Sequence, residues 1–370
     1  MSVVRSDCEK EVISSDMPDD MYFRNVKALV GIAIDLSGSM AQSIRNETEE
    51  HLSRLESVQQ ALTELAETAR KGVRQGRLED RENAIDVFAY GFGLRMKNTQ
   101  VCDLFSLIKA GRQVITHDII EQYKQRYTDE KKDIYQGYQG VGGFFRQLGL
   151  GKAVDIFDDI AKRHGQKVVR KLIWQEMMDE VEAYVRQVGD TTLPIEEVAD
   201  WWKDSGDMTS NAETIVFGNT PIVEVLEETL ARFEREVQQR SKDTRLILFL
   251  VSDGKYPHAN LLPIAKELQT MGVTIFSCFV TDKDSTNPRE LLHDPHPEWE
   301  SEARLMFEMA SPLDDGTEIE RFLLHKGWSI QKQPKLFVQV NHSDVLKEFV
   351  RVTLGQLEEK HVIYTLPRGW

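Results

Sequence analysis

The chain is poor in cysteine. Its 370 residues carry 3, at Cys8, Cys102 and Cys278, far apart and with no CxxC pair. That spacing excludes a disulfide framework and a zinc ribbon, and it fits a reducing compartment. Long apolar runs are also lacking. The most apolar one, residues 246–251, falls far short of the roughly 20 residues that a membrane-spanning helix needs. Residues 1–16 hold no apolar stretch of signal-peptide length, so a cytoplasmic protein without stable membrane insertion is expected. Positive charge is in deficit: 46 Lys and Arg stand against 61 Asp and Glu, for a formal net charge of −15. So acidic a chain grips nucleic-acid phosphates poorly, and no nucleic-acid partner is expected.

What is present is the material of a packed core, with 41% hydrophobic and 8% aromatic residues. Residues 28–35 are continuously apolar and then stop at Asp35, as a central parallel strand buried on both faces does. A helix follows on the stripe Leu52, Leu55, Val58, Leu62 and Leu65. Residues 85–92 read as a second strand and 96–105 as an antiparallel edge strand. Thr220 and Pro221 open a helix, the threonine as cap and the proline at the first helical position, with a stripe of Ile222, Leu226, Leu230, Phe233 and Val237. Strands over 246–252, 273–280 and 335–340 then alternate with helices over 261–271, 303–310 and 344–357. This order predicts an α/β fold with a doubly wound, mostly parallel, six-stranded sheet.

Residues 106–214 break the alternation. Val169, Ile173, Met177, Val181, Tyr184 and Val188 recur at helical spacing, and Trp201-Trp202 follows in an acidic segment. The expected organisation is an arm over 1–24, an α/β domain from 25–105 and 215–370, and a helical insertion over 106–214.

Oxygen-bearing residues cluster where strands end. Asp35-Leu36-Ser37-Gly38-Ser39 leaves the first strand, Thr220 precedes a helix, and Asp253 follows the strand 246–252. Strand C-termini of a parallel sheet gather on one edge, where doubly wound folds bind ligands. Two carboxylates and three hydroxyls there would suit a hard divalent cation. Mg²⁺ fits best, with Mn²⁺ or Ca²⁺ as alternatives, and one coordination position is left open.

The D-x-S-x-S at 35–39, the Thr-Pro at 220–221 and the strand ending Ser252-Asp253-Gly254 resemble the von Willebrand factor A domain and its metal-ion-dependent adhesion site. The resemblance implies that Ser37, Ser39 and Thr220 contact the metal, with Asp35 and Asp253 holding it directly or through water. It implies a non-enzymatic module whose metal is completed by an Asp or Glu of a protein partner. Such a module would be an adaptor or subunit of a larger intracellular assembly, an AAA+ ATPase complex among the candidates. Two alternatives stand beside it: an enzyme of phosphohydrolase type with catalysis in the insertion, and a scaffold whose metal is structural.

Other signals carry less. Gly137 to Lys152 is glycine-rich, but Ala153 follows the lysine where a phosphate loop needs Ser or Thr, so it reads as a connector. His117-Asp118 and His293-Asp294 suggest a hydrolase dyad without further ligands at helical spacing. His296 and Glu298 sit in a proline-rich loop. Trp174, Trp201 and Trp202 suit the packing of the inserted helices.

Overall fold

The structure is a computed structural model. It describes residues 27–41, 43–44, 52–53, 60–61, 63, 66–67, 85–93, 101–114, 179–180, 182–203, 220–254, 261–281, 289–341, 345–346 and 348–349. The expected arm, most of the expected insertion with His117, Trp174 and the glycine-rich stretch, and the far end of the last helix lie outside these residues.

In chain order the sheet strands are β1 (Ala28–Asp35), β2 (Ile85–Phe92), β3 (Val101–Asp103), β4 (Leu193–Pro194), β5 (Arg245–Ser252), β6 (Val273–Val280) and β7 (Phe337–Val340). Among the described residues the helices include α1 (Leu104–Val114), α2 (Ile195–Lys203), α3 (Ile222–Val237), α4 (Leu262–Thr270), α5 (Ser301–Met309) and α6 (Glu318–His325). The spatial order is β7-β6-β5-β1-β2-β3, with β4 also paired to β2. β1, β2, β5, β6 and β7 run parallel, and β3 and β4 run antiparallel to β2. The protein is therefore α/β, with a doubly wound, mostly parallel sheet flanked by helices. β1 is buried along its whole length, which is why its sequence never alternates.

Three features depart from the sequence reading. The sheet has a seventh strand, β4, beyond the six expected, and it comes from the segment assigned to the insertion. Two residues ending in a proline are too short to show a period of two. Leu104 and Phe105, expected in the edge strand, are helical because Asp103 turns the chain into α1. Leu52, expected to start a helix, pairs with Ile44 in a two-residue antiparallel ladder; residues 60, 61, 63, 66 and 67 are helical, and Leu55, Val58, Leu62 and Leu65 of the expected stripe lie outside the described residues.

Gly31, in the middle of β1, is required by packing. A Cβ there would lie 2.5 Å from Cζ of Phe88 and 3.0 Å from Cζ of Phe233. The two rings stack edge to face over the strand, 5.1 Å between centroids. Gly31→Ala is expected to cost about 1–3 kcal/mol by overpacking. A urea melt should show a lower midpoint at unchanged slope; an unchanged midpoint would mean that the rings yield freely.

The placement of α3 decides which edge carries Thr220. Just beyond its C-terminal end, Arg240 pairs with Asp86, the second residue of β2. The Arg245 N–H donates to the Lys27 carbonyl at 2.9 Å, beside the start of β1. The helix therefore ends where the parallel strands begin. Its 16 residues span about 24 Å, close to the ~26 Å of an eight-residue strand. Its N-terminus thus reaches the edge where β1, β2 and β5 end. Among the described residues no helix is long and apolar enough to cross a membrane.

Candidate metal centre

β1 has β2 on one side and β5 on the other, so the strand order reverses at β1. The crevice of a doubly wound sheet opens at such a reversal, outside the strand C-termini. Asp35 ends β1 there, and Ser252 ends β5 beside it.

The Asp35 side chain is fully buried and fixed on both oxygens. Oδ1 accepts the Ser37 N–H at 2.8 Å, and Oδ2 accepts the Ser252 hydroxyl at 2.7 Å. The Ser252 oxygen in turn accepts the Gly254 N–H at 3.0 Å. Ser37 and Ser39 bring their hydroxyls to 2.9 Å on a 3₁₀ turn over Gly38–Ala41. Burial pushes the Asp35 carboxyl up to about 6; the hydrogen bond from Ser252 opposes the rise, and the charge of Asp253 adds to it. A second carboxylate, Asp253, thus adds to the cost of the buried Asp35 charge.

Gly93 closes the group from the β2 side. It has φ +85°, and a Cβ there would meet the Ser37 nitrogen at 3.2 Å and Asp35 Oδ1 at 3.5 Å. The Leu36 N–H donates to the Phe92 carbonyl at 2.8 Å, which extends the β1–β2 ladder up to this turn. Only glycine adopts such a φ without strain and leaves the turn room beside the carboxylate. Gly93→Ala is expected to shift the Ser37 turn and weaken binding of a cation at Asp35, read by titration calorimetry. An affinity equal to wild type would show that the turn tolerates the methyl group.

Of the five expected ligands, Ser37 bonds to Asp35, Ser39 meets the Ser37 hydroxyl, and the Asp253 charge acts on Asp35. Thr220 is buried on the same edge but makes no hydrogen bond to that group. Its expected capping role is corrected. The cap position falls on Pro221, with no side-chain cap bond, and the Ile222 N–H donates to the Thr220 carbonyl at 3.0 Å in a tight turn. The hydroxyl is therefore not spent on capping. Two residues were not expected in the site. Ser252 fixes Asp35, and its signal was the register that sets the end of β5 beside the end of β1. The signal for Gly93 was a glycine directly after a buried strand.

The donor chemistry fits a hard divalent cation. Asp35 supplies a charge that burial leaves costly, Asp253 supplies a second carboxylate, the hydroxyls supply neutral oxygens, and each Asp35 oxygen retains a lone pair beyond its present hydrogen bond. Among the described residues no three His, Cys, Asp or Glu side chains are grouped as a metal cluster.

The other described candidates bond to the backbone or are buried. His293 Nδ1 lies 2.8 Å from the carbonyl of Gln333, 40 residues further along the chain, and His296 Nδ1 accepts the Glu298 N–H at 3.3 Å within its own loop. Cys102 and Cys278 are buried, and burial pushes both thiols up, away from the reactive thiolate.

No protein-family model matches the chain, and no curated protein matches it. Among solved structures it is similar to the crystal structure of the conserved hypothetical protein BatB from Bacteroides thetaiotaomicron, at 12% identity and a TM-score of 0.38, over 89% of this chain and 98% of that one. At the level of architecture, the chain is a doubly wound α/β protein with oxygen-bearing side chains gathered at the strand C-termini.

Proposed function

We propose that the chain is a non-enzymatic, metal-dependent protein interaction module of the von Willebrand factor A type, working in the cytoplasm as an adaptor or subunit of a larger assembly. Asp35, Ser37, Ser39, Thr220 and Asp253 would hold Mg²⁺, with Mn²⁺ or Ca²⁺ as substitutes. A partner's Asp or Glu would complete its shell, an AAA+ ATPase complex being one candidate for the assembly. The observation that carries this reading is the Asp35 carboxylate, fully buried, held on both oxygens at a reversal of strand order, with the Asp253 charge acting on it. A core carboxylate kept only for folding would be expected to face a cation of the protein. The groups that act on this one are the Ser37 and Ser252 hydrogen bonds and a second carboxylate.

The bound ion would supply positive charge and an exchangeable coordination position. The chain's own residues orient the oxygens and keep bulk water from the Asp35 side. Calorimetric titration with Mg²⁺ tests this directly. Wild type should bind, Ser37→Ala should bind at least about tenfold more weakly, by roughly 1.4 kcal/mol, and Asp35→Ala should not bind. Equal binding by all three would remove the site from this edge.

A further inference from the structure

Away from the metal edge, a dense polar group runs along β2. Residues 189–194 form a strap across it. The Gly189 carbonyl accepts the Ser106 hydroxyl at 2.5 Å, and the Thr191 N–H donates to Asp103 Oδ2 at 3.0 Å. Asp103 Oδ1 accepts the Ser106 N–H at 2.8 Å, so one carboxylate caps α1 and holds the strap. Leu193 and Pro194 pair with Val87 and Asp86.

The strap also grips α3. Asp190 pairs with Arg232 at 2.7 Å and with Arg235, and it accepts the Tyr90 hydroxyl at 3.2 Å. The Thr192 hydroxyl accepts from Arg232 at 2.5 Å and donates to Glu236 at 2.9 Å. Glu236 also pairs with Arg232 and Arg240, each at 3.0 Å. Arg232 is 5% exposed, with its guanidinium 5.5 Å from the centroid of the Phe88 ring.

The helix does not seat itself by apolar packing alone. Its buried face holds Thr229 and Arg232 beside Ile222, Val225, Leu226 and Phe233. Thr229 Oγ1 and Arg232 Nε have no hydrogen-bond partner. Buried polar atoms left so weaken a packed face. The ion pairs to the strap offset this, and without them a buried cation would stand uncompensated.

We propose that strap 189–194 positions the metal-site helix: its contacts with Arg232 and Glu236 fix how α3 sits on the sheet, and hence how Thr220 is presented at the metal edge. This rests on the metal reading above. The link is one rigid element, since Arg232 and Thr220 lie about 18 Å apart along the helix axis. Linkage is reciprocal, so filling the metal site tightens the strap. The strap belongs to the segment that interrupts the strand–helix alternation. A force on that segment would therefore be felt at Thr220.

Mg²⁺ titration of wild type, Asp190→Asn and Thr192→Val tests the coupling, with Leu268→Ala in α4 as a destabilised control. All are titrated below their melting temperatures. Both strap variants should bind Mg²⁺ about fivefold or more weakly while Leu268→Ala binds as wild type does. In wild type, Mg²⁺ should slow hydrogen exchange of the Thr191 amide. Wild-type binding with unchanged affinity in both strap variants overturns the coupling and leaves the metal reading intact. A wild type that binds no Mg²⁺ overturns both.

Discussion

Asp35→Asn is expected to make the metal-free protein more stable at pH 8 while removing its Mg²⁺ binding. The carboxyl titrates near 6 in the folded chain against an ordinary 3.8, chiefly because it is buried. The folded state thus holds this proton more tightly than the unfolded state does. The group's favourable contribution is full below about pH 3.8 and is lost as pH rises through about 6. Above that, keeping the carboxylate ionised costs on the order of 2–3 kcal/mol. Asparagine keeps the shape and accepts one of the two hydrogen bonds without carrying the charge. Melts in EDTA should show the variant gaining on wild type between pH 4.5 and pH 8, with most of the change around 6. A gap that does not vary with pH would show that Asp35 is not a costly buried charge. In Mg²⁺ at pH 8 the order should narrow or reverse, because only wild type gains from the ion.

The second large effect lies at the sheet edge. Asp103→Ala is expected to destabilise the protein by about 2–4 kcal/mol. It removes the cap of α1, worth about 0.5–2 kcal/mol, and leaves the Thr191 N–H without its acceptor, at about 1–3 kcal/mol. Burial already raises the Asp103 carboxyl, opposed by hydrogen bonds from the Ser106 and Thr191 backbones, which moderates the loss. Chemical unfolding measures it. A loss under about 1 kcal/mol would show that water replaces the carboxylate and that the strap is held from α3 alone.

These two residues also mark what the sequence made legible. Asp35 stood out because a strand buried on both faces admits no polar residue until it ends, so the first carboxylate marks the edge where the crevice opens. The same logic placed Asp253 after β5. Asp103 and the strap were hidden. Their partners lie 88 and 40 residues apart in sequence, as Thr191 with Asp103 and Arg232 with Thr192, and no local period reports such contacts. The stripe expected on α3 was right at Ile222, Leu226 and Phe233. It failed at Val237, which is 38% exposed, and it passed over Thr229 and Arg232, which are buried. Hydrophobic periodicity finds an apolar face and misses a face completed by ion pairs. β4 was missed for a related reason: Thr191-Thr192-Leu193-Pro194 has the chemistry of a helix lead-in, and its pairing with β2 comes from the strap contacts around it.

In the proposed function a metal held at Asp35 joins this chain to a partner's carboxylate. Affinity capture with mass spectrometry tests it most directly, run in Mg²⁺ and in EDTA with wild type and with an Asp35→Ala/Ser37→Ala double variant. A partner should be recovered by wild type in Mg²⁺ and lost both in EDTA and in the double variant, with binding abolished again when one acidic side chain of that partner is replaced. Recovery of the same partner at equal yield in all four conditions would contradict it.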